Sequence, residues 1–279
     1  LSNLTVSNVQ PVTSTHYLAL EDSSGIGEVA GTSLWLSNVL TATVENVNLS
    51  RSAACTFYGS GTGIYADGGS SHLTIHNVSV KNRGAGMSFR SGSDIELMNN
   101  DFSGSGCANS AFALLLSNIS TDSATGRGVL AAGNVYTGAN QGILLESLSN
   151  LTVSNVQPVT STHYLVLEDS SGIGSVASTS LWLSFMQTTT VNSINLSSPN
   201  VARGGNGLYV TGGDNLTVQS IRVKHRSNGV VIQNTTNSTL SCNSLIDNSV
   251  ALNINQLATI VDIRFFDNSK AIVMCGTGP

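Results

Sequence analysis

Short alternating apolar segments recur along the chain about every 20 to 24 residues. The clearest repeats begin at Gln141, Asn206, Asn228 and Ser249. Each contains a short run such as GILLE or GVVI, then a polar corner of Asn, Ser, Thr or Gly, then two further short runs. Alternation over four to six residues between turn residues is typical of β-strands. No window carries a sustained 3.6-residue apolar period, so we expect few helices.

A second, longer repeat divides the chain in half. Residues 1–37 return at 148–184 with three differences, which pair Ala19 with Val166, Glu28 with Ser175, and Gly31 with Ser178. A looser copy follows, since GIYADGG at 63–69 is matched by GLYVTGG at 207–213. This period predicts two units, residues 1–147 and 148–279, in one continuous solenoid.

Three short strands per repeat resemble the coil of right-handed parallel β-helix proteins of the pectate-lyase-like class. The matching residues are runs such as GLYVTGGDNLTVQSIRV, which begins at Gly207. The resemblance implies an all-β, right-handed parallel β-helix of roughly ten coils in two tandem units. Its motif is degenerate, so it implies a fold and leaves function to be argued from a site.

The charge-bearing motifs of β-helix enzymes have no counterpart in the sequence. The nearest approach is IRVK at 221–224, which lacks the paired aspartates and the Gly-His-Gly of polygalacturonases. The remaining candidate charges occur twice, once in each half. They are Glu21 and Asp22 with Glu168 and Asp169, His16 with His163, Lys81 with Lys224, and Arg83 with Arg226.

Duplication argues against catalysis, because an active site is normally one constellation. We expect the Glu-Asp pairs to cap turns, with Ca²⁺ binding and acid–base work as alternatives. We expect the two histidines to complete corners, and the Lys and Arg pairs to form a solvated edge. We therefore predict that no catalytic constellation and no cofactor site is present.

Aromatic residues are the best candidates for contact with a ligand. Alternation places the leucines of SLWLS, HYLAL and its copy HYLVL inward, among them Leu18 and Leu165, so the neighbouring aromatic rings should point outward. Exposed flat rings can stack on sugars or pack against a partner. The alternative is that loops cover them as a small extra core. The candidate contact residues are Tyr17, Trp35, Tyr65, Tyr164, Trp182 and Tyr209.

Composition and charge limit the classes of partner that the protein can bind. The net charge of −5, with only 11 Lys and Arg, offers no basic surface for nucleic acid. No apolar run is long enough to span a membrane. Four cysteines suit an extracellular protein, and we predict the disulfides Cys55–Cys107 and Cys242–Cys275, with four buried thiols as the alternative.

Nine Asn-x-Ser/Thr sequons permit glycosylation without arguing for it, since this count is close to the chance expectation. They begin at Asn3, Asn48, Asn77, Asn118, Asn150, Asn195, Asn215, Asn234 and Asn237.

Both ends of the chain lie within a coil. Leu1 opens directly on LSNLTV, whereas QGILLES precedes the same motif in the second half. Near the other end, residues 267–274 resemble the start of a further coil. We expect Leu1 and Leu4 at one end, and Ile272 and Val273 at the other, to be contacts for end-to-end self-association. The alternative is a fragment of a longer protein.

Insertions lengthen some coils and can form a binding surface. Residues 21–32 and 168–179 are equivalent insertions, whereas residues 120–128 have no counterpart in the second half. We predict a structural segment of an extracellular surface or filament-forming protein, working in self-assembly or adhesion. The alternative is a carbohydrate-active enzyme or carbohydrate-binding module, with glycans as partners. A contiguous outward acidic cluster unique to one unit would favour the enzyme.

Overall fold

A computed structural model describes residues 1–8, 16–21, 24–54, 61–108, 111–158, 161–200, 204–255 and 258–274. These residues form β-strands and loops with no α-helix, and three single-turn 3-10 helices at Ile26–Glu28, Asp169–Ser171 and Ile173–Ser175. The strands are β1 (Leu4–Ser7), β2 (His16–Ala19), β3 (Leu34–Ser37), β4 (Ala42–Glu45), β5 (Thr62–Asp67), β6 (Ser71–His76), β7 (Ala85–Met98), β8 (Leu114–Ser120), β9 (Val129–Ala132), β10 (Ile143–Glu146), β11 (Ser149–Ser154), β12 (His163–Val166), β13 (Leu181–Asn192), β14 (Asn206–Gln219), β15 (Arg222–Lys224), β16 (Asn228–Gln233), β17 (Ser238–Ser241), β18 (Ser244–Ile246), β19 (Val250–Ile254), β20 (Ala258–Val261), β21 (Arg264–Phe266) and β22 (Lys270–Met274).

All the pairings between these strands are parallel, and they stack the strands into faces. We call the first face the stack β3, β5, β7, β8, β10, β13, β14, β16, β19 and β22. We call the second face the stack β2, β1, β4, β6, β7, β9, β12, β11, β13, β14, β17 and β20. The long strands β7, β13 and β14 turn the corner and belong to both faces.

A third, shorter face completes the coils. It contains the stack β15, β18 and β21, together with single parallel bridges such as that between Ser79 and Asp101. Parallel stacking on successive faces is the architecture of a parallel β-helix, as the sequence predicted. Parallel strands need a crossover connection, and here each crossover is the rest of a coil.

The core lies between the faces, in columns of inward apolar side chains. On the second face one column includes Val6, Val44, Ile75, Leu97 and Leu165, all essentially inaccessible to solvent. Such columns arise because alternate residues of a strand point to the same side and the register repeats from coil to coil. Leu165 is 1% exposed, which confirms its predicted inward position.

The duplicated segments form the same local structure. In both copies the second strand pairs with the first in identical register, with Leu4 opposite His16 and Leu151 opposite His163. Their surroundings differ, because β12 lies between β9 and β11 whereas β2 pairs only with β1 within the described residues. The predicted burial of Leu18 is therefore wrong: its side chain is 44% exposed.

Candidate functional site

The outward residues of the first face include an exposed aromatic pair in the first half. Trp35 is 64% exposed, and its ring meets that of half-buried Tyr65 edge-on at 5.6 Å between centroids. The Trp35 Nε1 donates a hydrogen bond to Asp67 Oδ1 at 3.2 Å. The predicted outward direction of both rings is confirmed, and their contact with a ligand stays a prediction.

The corresponding pair in the second half is more enclosed. Trp182 is half-buried between Phe112 and Tyr209, with ring centroids 5.7 and 4.9 Å away. The Tyr209 hydroxyl bonds Gln233 Oε1 at 3.0 Å, and Trp182 Nε1 is buried without a hydrogen-bond partner in the described structure. These two residues form part of a small outer cluster, which was the alternative that the sequence left open.

The third aromatic pair has different environments in its two copies. Tyr17 is 47% exposed on β2, as predicted, but Tyr164 on β12 is only 5% exposed. The prediction that Tyr164 is exposed is wrong. It lies on the outer side of the second face, in line with Glu96 and Leu130. No hydrogen bond to the Tyr164 hydroxyl is made within the described residues.

Beside Tyr164, six charged or titratable side chains form one connected group on the outer side of the second face. We call it the charged cluster: His72, His76, Asp94, Glu96, Asp122 and Arg127. Arg127 links its parts, because Nε lies 3.4 Å from Asp94 Oδ1 and a terminal nitrogen lies 2.5 Å from Glu96 Oε2.

The two histidines extend the charged cluster in both directions. His72 Nδ1 lies 3.0 Å from Asp94 Oδ2, and its Nε2 lies 3.7 Å from Asp122 Oδ2. His76 Nε2 lies 3.1 Å from Glu96 Oε1. The three carboxylates are mostly shielded from solvent, whereas the histidines and Arg127 are more than a third exposed.

The fold explains why these residues meet. His72 and His76 flank the inward residues of β6, and Asp94 and Glu96 occupy the neighbouring positions of β7, since Leu73 pairs with Ile95 and His76 with Met98. Asp122 and Arg127 come from the insertion at residues 120–128. The Asp122 carboxylate accepts the backbone N–H groups of Ala124 and Thr125, which fixes the loop.

Electrostatics favour an ionised Asp122 carboxylate and a neutral Tyr164 phenol. Backbone hydrogen bonding from Thr125 is the main cause that lowers the pKa of Asp122. Burial raises the pKa of Tyr164, and Glu96 raises it further while Arg127 opposes the rise.

The charged cluster belongs to the first half alone. In the second half, the positions that correspond to His72, Asp94 and Glu96 are Asn215, Asn237 and Thr239. All three are uncharged. Sequence reasoning missed the cluster because it searched for duplicated charges, although the insertion at residues 120–128 was an available signal.

The duplicated acids do not assemble a metal site. Glu168 is exposed and accepts a hydrogen bond from Ser170, and Asp169 lies exposed in a 3-10 helix. Glu21 is exposed, and Asp22 lies outside the described residues. In the described ranges, no three His, Cys, Asp or Glu side chains are arranged to hold a metal ion. A Ca²⁺ role for these acids thus has no geometric support.

The two histidines of the duplicated segment differ in burial. His16 is exposed, whereas His163 is 1% exposed and its Nδ1 accepts the backbone N–H of Val129 at 3.2 Å. Burial lowers the pKa of His163. The predicted corner role fits His163. Lys81 pairs with Asp101 at 2.8 Å, and Lys224 is half-buried.

The predicted solvated edge is wrong for the arginines. Arg83 and Arg226 are both fully buried. The Arg226 guanidinium donates to backbone carbonyls, among them those of Val176 and Gly174 at 2.7 Å each, and burial lowers its pKa to about 10. These arginines point inward because the coil insertions present carbonyl groups there that need donors.

The disulfide prediction is partly wrong. Cys242 carries a free, exposed thiol at a left-handed corner, beside Asp262 of the next coil, so the predicted Cys242–Cys275 bond is not formed. Cys107 is disulfide-bonded. Its partner lies outside the described residues, as do Cys55 and Cys275, so the Cys55–Cys107 bond stays a prediction.

The residues predicted as assembly ends are partly exposed. Leu1 is exposed and its carbonyl accepts the N–H of Leu40, while Leu4 is half-buried in β1. Ile272 is exposed, and the Val273 backbone pairs with Asn253 in the register of β22 with β19. Self-association through these residues stays a prediction.

Comparison with known proteins identifies a family but not a function. A family model described as the right-handed β-helix region matches residues 24–180. Among solved structures, the A-module of mannuronan C-5 epimerase AlgE4 from Azotobacter vinelandii is similar, with a TM-score of 0.44 and 10% identity over 88% of this chain and 83% of that chain. These values are too low to support an argument about function.

No curated protein matches this sequence. The described part of the chain has no helix long and apolar enough to cross a membrane. The family model covers more than half of the chain, and the parallel stacking of three faces agrees with it. The chain therefore belongs to the right-handed β-helix family.

Proposed function

We propose that this protein binds polysaccharide on the outer side of its second face. The observation that carries the proposal is the charged cluster, which is contiguous, faces outward and occurs in one half only. Its carboxylates, imidazoles and guanidinium are held by each other at 2.5 to 3.7 Å. Pre-arranged polar groups of this kind recognise sugar hydroxyls with little loss of side-chain freedom.

We also propose the larger organisation that the sequence suggested. Roughly ten coils in two tandem units, residues 1–147 and 148–279, would present this site on a rod. An extracellular or cell-surface location is supported by the disulfide at Cys107, because such bonds persist in oxidising compartments.

Retention on polysaccharide tests the binding proposal. In native gels that contain a neutral, anionic or cationic polysaccharide, the full chain should migrate more slowly in at least one of them. The double variant Glu96→Gln, Arg127→Gln should lose this retardation, because it breaks the linked ion pairs of the charged cluster. Lys224→Gln, a charge removal in the second half, is the matched control and should behave like the wild type. If no neutral, anionic or cationic polysaccharide slows the wild type, the proposal fails.

The same incubations separate a binding module from an enzyme. We propose that the protein binds without turnover, as the missing lyase and hydrolase motifs suggested. Product analysis should then detect no new reducing ends and no unsaturated sugars. If the wild type releases reducing ends or unsaturated sugars and the variant Asp94→Asn does not, the charged cluster is an active site.

A second candidate function is self-assembly or adhesion within an extracellular surface or filament. The exposed apolar side chains of Tyr17, Leu18, Trp35 and Leu40 favour it, since such groups commonly mark contact surfaces. Sedimentation at increasing protein concentration tests it. A concentration-dependent rise in mass supports this candidate, and a constant monomer mass rejects self-association.

A further inference from the structure

The proposed binding site continues beyond the charged cluster along one outward column of the second face. Strand register places in this column, in order, Thr43, Thr74, Glu96, Leu130, Tyr164, Thr152, Thr190, Thr217 and Thr239. Threonine is the rule along it. Glu96, Leu130 and Tyr164 interrupt the threonines where the cluster lies, so the column carries hydroxyl groups on both sides of the charges.

The Tyr164 hydroxyl has no hydrogen-bond partner among the described residues. The residue is 5% exposed, and Glu96 and Arg127 are near enough to affect its pKa. The hydroxyl of a buried tyrosine normally has a hydrogen-bond partner.

A groove lies next to Thr152, the neighbour of Tyr164 in the strand register on the side away from Glu96. It has a volume of about 370 Å³ and is lined by Thr152, Ser161, Thr162, Thr188 and Thr190, with Asn150 and Leu151 at its side. Thr152 pairs directly with Tyr164 in the strand register. The Thr162 hydroxyl is a second buried polar atom without a partner. The lining is uncharged and rich in hydroxyl groups.

The charges select the class of sugar. The charged cluster has three carboxylates and one guanidinium, a formal charge of −2 with neutral imidazoles, and Glu45 adds another carboxylate opposite His76. A uronate would meet like charges here, which is unfavourable in a partly desolvated site. Each carboxylate is already paired with Arg127 or a histidine, so none is left free for an ammonium group.

From these features we infer that the site binds an uncharged glycan that lies across the strands, along the threonine column, with the Tyr164 hydroxyl as a direct contact. This inference rests on the proposed polysaccharide binding and specifies its ligand class. A sugar hydroxyl would complete the hydrogen bonding of Tyr164. The charged cluster would accept sugar hydroxyls with the lone pairs that its ion pairs leave free.

Calorimetric titration of the full chain tests the ligand class. The probes are hexasaccharides of glucose, xylose and mannose in β-1,4 linkage, hexagalacturonate, and the hexamer of glucosamine. We expect saturable binding of at least one neutral hexasaccharide, and at least about tenfold weaker binding of hexagalacturonate. Tighter binding of hexagalacturonate or of the glucosamine hexamer would overturn the inference while leaving polysaccharide binding in place. Binding of none of the probes would reject both.

Two single-atom changes test the role of Tyr164. Tyr164→Phe removes only the hydroxyl oxygen, and it should weaken binding of the neutral hexasaccharide about threefold to tenfold, the effect of one lost hydrogen bond. Its melting temperature should not fall, because the oxygen has no hydrogen-bond partner among the described residues. Tyr17→Phe makes the same change in the other copy and should leave binding unaltered. Unchanged affinity in Tyr164→Phe would overturn the assignment of this contact.

Discussion

Asparagine marks the corners that lead into the second face. Asn3, Asn150, Asn215 and Asn237 all have φ near +50°, a left-handed conformation that asparagine tolerates better than most residues. At each corner the next residue points inward and a threonine then points outward. The sequence Asn-x-Thr is therefore what this coil geometry requires. Four of the nine sequons follow from the fold alone, so these four do not argue for glycosylation.

His163 shows how one residue can set the pH dependence of stability. Its ring fills a space that Gly128 leaves open, since a Cβ at Gly128 would lie 2.2 Å from His163 Cε1. Because burial lowers the folded-state pKa of His163, the unfolded chain binds more protons once the pH falls below about 6.5. The contribution of this histidine to stability is therefore lost on acidification.

Denaturant unfolding at pH 7.5 and pH 5 measures this effect. The wild type should lose more free energy of unfolding between these values than His163→Gln does. His16→Gln, in the exposed copy of the same segment, is the matched control and should lose as much as the wild type. An equal loss in the wild type and His163→Gln would show that the buried imidazole does not control this response.

At the scale of elements, β12 is the strand whose position the sequence least reveals. It follows β11 in the chain but stacks between β9 and β11, so the second face gains a strand out of sequence order. Its copy β2 differs by one residue, Ala19 in place of Val166, and has the same register to β1. Nearly identical sequences therefore occupy two environments. Periodicity predicts that both are strands, but it contains no information about which strand covers them.

This pair of strands provides an internal control for core packing. Leu165→Ala should lower the free energy of unfolding by about 2–5 kcal/mol, because it leaves a cavity in a closed column. Leu18→Ala removes the same atoms from a side chain that is 44% exposed, so its effect should be clearly smaller. Chemical denaturation of both variants checks the difference. Equal losses would contradict the difference in burial between Leu165 and Leu18.

At the scale of the whole molecule, the sequence predicts the scaffold better than the site. Strands, corners and parallel stacking follow from the alternation of apolar and polar residues and from the repeat of this pattern. Both features are present in the local sequence of each coil. The charged cluster depends instead on register between strands 22 residues apart, such as His72 and Asp94, and on one insertion. Arg83 and Arg226 illustrate the same limit, because a charged residue at the end of a strand says nothing about the loop carbonyls that enclose it.

The account as a whole depends on a ligand meeting the second face at one place. Amide hydrogen exchange of the full chain, with and without the neutral hexasaccharide that binds most tightly, tests this directly. We expect slower exchange in β6, in the second-face half of β7, at residues 120–130 and in β12, with no change in β3 and β5 around Trp35 and Tyr65. Protection confined to β3 and β5 would place the binding on the first face and contradict the account.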